Sequence, residues 1–196
     1  RFLGVEVRDY YVAEGAKKEG IDRRLYAKVP YVSADSNLGE DYLHDVGAVK
    51  EFARESRREM ILRALEVMRR HVPEGNPEVE VVTDVSHNYL AMEEHFGERL
   101  YVHRKGAIHL SQGDVGFVPG SMGTASYVVE GRGNAYAFCS CAHGGGRVMS
   151  RSAAARSITQ KRFLESMEGV LCMHDGLLLD EAPAAYKDIR SVMRGQ

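Results

Sequence analysis

Along the 196 residues the apolar positions change rhythm twice, from helical spacing to short alternating runs and back. Residues 5–20 keep a helical spacing and end at Gly20, which predicts a helix with a glycine stop. Residues 25–37, with Pro30 and the polar cluster Ser33–Asn37, predict an irregular connection. From about Glu40 to Arg70 the stripe Tyr42, Val46, Val49, Ala53, Met60, Ala64 and Met68, with Phe52, Ile61 and Leu65 beside it, predicts one long amphipathic helix that packs along its apolar face. PEGNPE (73–78) reads as a turn and VEVVT (79–83) as a buried strand, while DVSHNYLAMEEHFG (84–97) reads as a strand end passing into a short helix. Four strand-like runs follow, RLYVHRK, VGFVP, ASYVVEG and AYAFCS, separated by glycine-bearing turns. A helix is expected over Ala153–Lys161, a hairpin at Asp175-Gly176 between Val170–Met173 and Leu177–Leu179, and an amphipathic helix over 184–194. No repeat and no clear linker interrupts the pattern, so the expectation is a single α+β unit with glycine-rich antiparallel strands packed under the long helix.

Composition sharpens the middle of the chain. Of 20 glycines, eleven fall between Gly97 and Gly146. They follow no three-residue period and are interleaved with Val, Tyr, Phe and His, which excludes collagen and a flexible linker. What remains is ordered backbone that turns sharply or approaches a ligand closely. Net charge is −2, yet residues 97–151 carry 6 basic and 3 acidic side chains, a local +3, which points to an anionic ligand. Three cysteines cannot frame a disulfide fold, so a reducing, cytoplasmic setting is expected. No apolar run approaches the ~20 residues of a membrane span. The chain opens RFLGVEVRDY without methionine, which suggests a piece of something longer.

Four short segments carry candidate chemistry. In DVSHNY, His87 beside Asn88 is either a satisfied structural histidine or a metal and phosphate contact. HRKGAIH sets two cations before Gly106, suited to a phosphate or to a solvated strand end. In PGSMGTAS, Gly120 and Gly123 free backbone N–H groups to face an anion, with Ser121 and Ser126 adding hydroxyls; a tight hairpin is the alternative. HGGGRVMSR (143–151) is the sharpest, with a flexible surface loop as the alternative. Three adjacent glycines cost conformational entropy that close approach to a ligand would offset. Arg147 and Arg151, four apart, share a face if a helix has begun, and two guanidiniums suit phosphate oxygens. They would also keep His143 neutral, and a neutral imidazole can attack a phosphoryl group to give a phosphoramidate. Cys139 and Cys141 lack zinc-site spacing and read as small hydrophobes.

Taken together, DVSHNY, VHRKGA, PGSMGTASYVV, HGGGR, MSR and AYKDI resemble, in order and spacing, the RtcB-type tRNA-splicing RNA ligases over nearly the whole chain. The resemblance implies an RtcB-like α+β fold and a GTP- and Mn2+-dependent ligase, with two manganese ions per complete site. Such enzymes join RNA 3′-phosphate or 2′,3′-cyclic phosphate ends to 5′-hydroxyl ends, in tRNA halves or broken RNA, through a guanylylated histidine. His143 matches that nucleophile. His87 matches a metal ligand and, with Asn88, a guanylate contact. Pro119, Gly120, Ser121, Met122 and Ser126 match the guanylate-binding loop, and Gly144, Gly145 and Gly146 the backbone after the nucleophile. Lys105 and Tyr186 match positions near the nucleotide, while Arg1, Arg147 and Arg151 match RNA-phosphate positions. An archease-type activating protein is a further implied partner.

The chain also departs from that pattern. It begins at what resembles the end of the family's HSGSRGLG segment, with Phe2 in place of glycine. The aspartate and cysteine metal ligands, the GNHF segment and the C-terminal lysine-glycine end have no counterpart in it. HGGGR stands for the usual HGAGR, and Ile108 for a common threonine. Residues 1–196 are therefore expected to be the C-terminal portion of such a catalytic domain, in which His87 alone remains of the metal shell. An N-terminal companion chain would then supply the rest. The alternative is a truncated or degenerate paralogue that binds guanylate or RNA ends without catalysis.

Overall fold

A computed structural model describes residues 2–28, 30–72, 80–172 and 176–196. It is a mixed helix-and-strand protein, in line with the α+β expectation. Its contacts form two compact units where the pattern predicts one. The first is Arg1–Glu80 with Tyr89–Met92 and Tyr101–His103; the second is Val81–Asn88, Glu93–Leu100 and Arg104–Gln196. The long helix belongs to the first and the glycine-rich strands to the second.

In the first unit, α1 (Phe2–Glu19) stops at Gly20, whose φ of +66° suits a residue without Cβ. The short α2 (Arg23–Tyr26) is capped by the Asp22 carboxylate, which accepts from the Arg24 and Leu25 N–H groups. The expected long helix is α3 (Asn37–His71), capped by Ser36 Oγ accepting from Gly39 N at 3.1 Å. Tyr11, Val12, Ala16 and Tyr26 form the core, and Tyr11 donates to Asp45 at 3.0 Å and meets Tyr42 edge-on at 5.0 Å. Burial and the Asp45 carboxylate raise the Tyr11 pKa. In the second half of α3 the stripe is not packed: Met60 is 59% exposed, and Ile61 and Met68 are exposed too. Length explains it. At about 1.5 Å per residue, 18 residues of α1 cover roughly half of the 35 in α3.

The second unit holds β3 (Ala107–His109), β4 (Val115–Val118), β5 (Tyr127–Glu130) and β6 (Ser140–Ala142), after β1 (Asn88–His95) and β2 (Glu98–Lys105). β3 pairs antiparallel with β6 (Ile108 opposite Cys141) and β4 with β5 (Phe117 opposite Val128). Several expectations fail here for identifiable reasons. Residues 80–83 form no strand, and Val81 and Val82 are exposed. Residues 88–95 are strand, not helix, although Leu, Ala, Met and Glu favour helix. Phe96 (φ +55°) and Gly97 (φ +80°) form a two-residue turn of the primed type, which returns the chain as β2 and lets pairing override propensity. AYAFCS is not a strand. Ala135–Ala137 is a 3-10 turn capped by Asn134, and Phe138 and Cys139 are left-handed before β6 begins.

The C-terminal helices are shorter than expected. The run at 153–161 is broken into α4 (Arg151–Ser157) and α5 (Gln160–Ser166), because Ile158 is extended and Thr159 caps the second helix. The Asp175-Gly176 hairpin is overturned where described: Asp175 lies outside the described residues, and Gly176–Glu181 is a 3-10 helix. PEGNPE also lies outside them. The closing helix, α6 (Ile189–Arg194), starts only after Asp188, which caps it. Phe163, Met167, Ile158, Ala154, Ala182 and Ala185 form the core that holds these pieces together.

A buried charged network braces the second unit. Arg104 is 4% exposed; both its terminal nitrogens bond Glu93, one of them also donates to the Phe138 carbonyl at 2.6 Å, and Nε donates to Ser140 Oγ at 3.0 Å. His95 Nε2 lies 2.8 Å from Glu93 Oε2. Burial opposes the Glu93 charge, but the Arg104 and His95 hydrogen bonds outweigh it and hold the carboxyl at about 2. Because that value lies below the unfolded one of 4.5, the contribution is complete above about pH 4.5 and is lost as pH falls towards 2. Glu93→Gln is expected to lower the melting temperature at pH 7 and to flatten the fall in stability between pH 4.5 and 2, as measured by thermal melts across that range.

Candidate functional site

Gly106 joins the motifs. Its φ is +71°, so it is left-handed. Its N–H donates to the His87 carbonyl at 2.7 Å and to Asn88 Oδ1 at 3.0 Å. Its carbonyl lies 2.6 Å from His143 Nδ1. A carbonyl can only accept, so Nδ1 carries the proton and, in the neutral ring, Nε2 keeps its lone pair. The His87 and His143 rings stack at 5.0 Å with 12° between planes. Space is tight, since a Cβ on Gly106 would lie 3.2 Å from His143 Cε1. The sequence signal for Gly106 is a glycine directly after paired cations at a strand end.

His143 lines a cleft of about 740 Å3 with Gly106, Gly144, Gly145, Gly146, Lys187 and Gln196. Sequence reading did not place Lys187 or Gln196 there. Gln196 Oε1 accepts from Ala142 N at 2.8 Å, and Lys187 N–H donates to the Gly146 carbonyl at 3.0 Å. Another cleft, of about 610 Å3, lies among Leu164, Met167, Glu168 and Leu171 and holds none of the motif residues.

The two glycine segments meet through Gly145 N–H, which donates to the Pro119 carbonyl at 3.0 Å. In the 119–126 loop two N–H groups, one of them expected to face an anion, bond side chains of the loop itself. Gly120 N–H bonds Ser126 Oγ at 3.2 Å, and Ser121 N–H bonds Thr124 Oγ1 at 2.7 Å. Gly120 is glycine for a steric reason, because a Cβ would lie 2.2 Å from the Ala125 carbonyl. Met122 is exposed beside them. Of the three adjacent glycines, Gly144 is backed by the Pro119 carbonyl, 3.0 Å from a Cβ, and Gly146 has φ +68°. At Gly145 a Cβ would make only ordinary contacts, the nearest at 3.6 Å. That is the position where the resembling family usually carries alanine.

The arginine pair is arranged differently from the expectation. α4 begins at Arg151, so Arg147 precedes the helix and the two share no helical face. They converge instead on Asp180 and Glu181, which sequence reading missed. Arg151 Nη1 bonds Asp180 Oδ2 at 2.7 Å and also Glu181. Every nitrogen of Arg147 donates within the protein: to the Met149 carbonyl at 3.1 Å, to the Asp180 carbonyl, and to Tyr186 OH at 2.9 Å with Glu181 at 3.5 Å. Its guanidinium lies over the Tyr186 ring, and Tyr186 donates to Glu181. Burial and Glu181 raise the Tyr186 pKa. Two adjacent acids in LLLDEAP, after two unpaired arginines, were the available signal. Lys105 is exposed directly before Gly106, and Arg1 lies outside the described residues. Cys139 and Cys141 are half-buried, and burial pushes the Cys141 thiol up.

Among the described residues no group of three or more His, Cys, Asp or Glu could hold a metal ion. No described helix is long and apolar enough to cross a membrane.

An α+β protein with a tautomer-fixed histidine over a glycine-lined cleft is thus the class that fold and site define. The comparisons are more specific. The family model described as tRNA-splicing ligase RtcB matches residues 1–196, and the chain belongs to that family. It is 34% identical over 203 residues to an RNA-splicing ligase RtcB of Escherichia coli, covering 100% of this chain and 50% of that protein. It is 33% identical over 226 residues to a tRNA-splicing ligase RtcB of Pyrococcus furiosus, covering 99% and 23%. With the Archaeoglobus fulgidus protein of the same description identity is 36% over 199 residues, covering 87% and 40%. The chain spans half the length or less of these relatives.

Gly145→Ala is expected to keep or raise stability, by about 0.4–1 kcal/mol. Gly144→Ala and Gly146→Ala lower it, because one meets the Pro119 carbonyl and the other holds a positive φ. Denaturant titration of the three variants separates them. Nitrogen NMR of the His143 ring is expected to show the Nδ1–H tautomer and its loss in Gly106→Ala; an Nε2–H tautomer in the parent chain contradicts the geometry.

Proposed function

We propose that this chain is the nucleotidyl-accepting portion of a GTP-dependent RNA ligase, with His143 as the nucleophile that becomes guanylylated. The observation that carries the reading is the Gly106 carbonyl at 2.6 Å from Nδ1, in a ring that lines the glycine cleft. The hydrogen bond leaves the Nε2 lone pair for attack on the α-phosphorus of GTP; the bond from that phosphorus to the bridging oxygen breaks and pyrophosphate departs. The ring becomes cationic as the P–N bond forms, and the same carbonyl stabilises the Nδ1–H of that cation. A protonated ring is the better leaving group. An RNA 3′-phosphate oxygen then takes the guanylyl group, and the electron pair of the broken P–N bond returns to Nε2. Attack of a 5′-hydroxyl on the activated 3′-phosphate expels GMP and joins the strands.

In this reading Asn88, His87 and the 119–126 loop flank the guanylate, and Lys187 places a cation on the same cleft. Arg151, 57% exposed at its side chain, engages Asp180 and Glu181 through Nη1 and offers its remaining N–H groups to an RNA phosphate. Arg147 serves the same segment from inside, as a brace for Tyr186 and Asp180. Manganese belongs to the reading through family resemblance, but the described residues do not form a site for it: His87 needs further oxygen, nitrogen or thiolate ligands from elsewhere. Those ligands, an archease-type partner and a cytoplasmic setting are parts of the same proposal.

Incubation with α-labelled GTP and Mn2+, with and without a companion segment bearing the missing ligands, tests it. The expected product is an acid-labile, alkali-stable label on His143, absent in His143→Ala. No label under any condition, or equal label in the variant, overturns it. A second reading is a chain that binds guanylate or RNA ends without transfer. Retention of 3′-phosphorylated RNA with no labelling supports that one.

A further inference from the structure

We infer that Phe96, Phe138 and Tyr136 form a platform on which a base of single-stranded RNA stacks, a few nucleotides from the end that reaches His143. The inference rests on the ligase reading and adds to it a site that the motifs do not include.

Three observations lead to it. First, the rings are clustered and open: Phe96 meets Phe138 edge-on at 5.6 Å and Tyr136 at 6.2 Å, and Phe96 is 62% and Tyr136 90% exposed. Large aromatic rings left in water on a folded surface are suited to stacking, and every base offers a π face.

Second, of the three non-glycine residues with positive φ among the described residues, Phe96 and Phe138 belong to this cluster and Cys139 directly follows it in the chain. A phenylalanine at φ +55° in a two-residue turn stands where Asn or Gly is the relaxed choice. Backbone strain of this kind persists where function uses it.

Third, the platform is anchored rather than loose. His95 packs against Phe138 at 4.8 Å from below, and Arg104, paired with Glu93, holds the Phe138 carbonyl at 2.6 Å.

The occupant follows from where the platform lies. Phe138 leads through β6 into His143, five residues on and at most about 18 Å along extended chain. Arg104, which clamps Phe138, is two residues from Gly106, which holds the His143 ring. Arg99 and Arg132 are exposed near Phe96 and Tyr136 in sequence and add positive charge, while Glu94 and Glu98 on the same hairpin limit how much charge alone contributes. Stacking, with its tolerance for any base, therefore carries the recognition.

The test uses the full chain and a short 3′-phosphorylated oligoadenylate with 2-aminopurine placed at successive positions from its 3′ end. Quenching of the fluorescence is expected at one or two internal positions. Tyr136→Ala, at a residue too exposed to matter for folding, is expected to weaken binding by about 5- to 150-fold and remove the quenching; Tyr136→Trp restores both. Phe96→Asn is expected to keep or raise the melting temperature while weakening RNA binding, the opposite of what loss of a structural ring does. RNA that binds the parent chain with no quenched position, or with unchanged affinity in Tyr136→Ala and Phe96→Asn, overturns the platform and leaves the ligase reading standing. A change in oligomeric state in those variants at constant RNA affinity also overturns it, in favour of a protein contact. If the parent chain binds none of the oligonucleotides, the platform falls together with RNA binding by this chain, whereas labelling of His143 by GTP is read separately.

Discussion

The cleft depends on the backbone of one residue, Gly106, through the two peptide groups that flank it. Its N–H gathers the His87 carbonyl and the Asn88 side chain, and its carbonyl orients His143. These bonds need a left-handed residue with no Cβ, because a side chain there meets the imidazole at 3.2 Å. The residue therefore sets three properties of the site together: the stacking of the two histidines, the tautomer of one of them, and the closeness of the strand end to the glycine loop.

Around that residue, three arginines are paired within the protein. Arg104 closes on Glu93, and Arg147 and Arg151 close on Asp180 and Glu181. Arg104, paired with Glu93 inside the β1–β2 hairpin, also holds the Phe138 carbonyl of the turn before β6. The other two arginines hold the segment before Tyr186 to the start of α4. A local excess of basic residues is thus a poor measure of the charge available to an anion. Of the motif arginines, Arg151 bonds the described residues through Nη1 from an exposed side chain, and Arg147 through every nitrogen.

Much of the site was legible in the chain because its residues sit in short, unusual strings. His143 with three glycines, Pro119 to Ser126, and His87 with Asn88 were all singled out, and His143, Gly106, His87 and Asn88 do meet. What stayed hidden was partnership. Asp180 and Glu181 lie about thirty residues from the arginines they hold, and no local pattern joins them. The stretch 88–95 has helix-forming residues, yet a left-handed Phe96 before Gly97 turns it into a hairpin. Phe-Gly is not a composition that announces such a turn.

By itself the sequence determined the family, the helical first third with its long amphipathic helix, and the identity of the histidine and glycine segments. Those follow from residue types at short spacings, which local sterics and periodicity translate directly. Tertiary structure alone decided which of those residues touch, why each glycine is needed, and which charges are spent internally. Gly145 shows the division: three glycines in a row read as one feature, but packing requires the first through a carbonyl contact and the third through its φ, and leaves the middle one room for a methyl group. Such distinctions arise from atoms that neighbour in space and not in sequence.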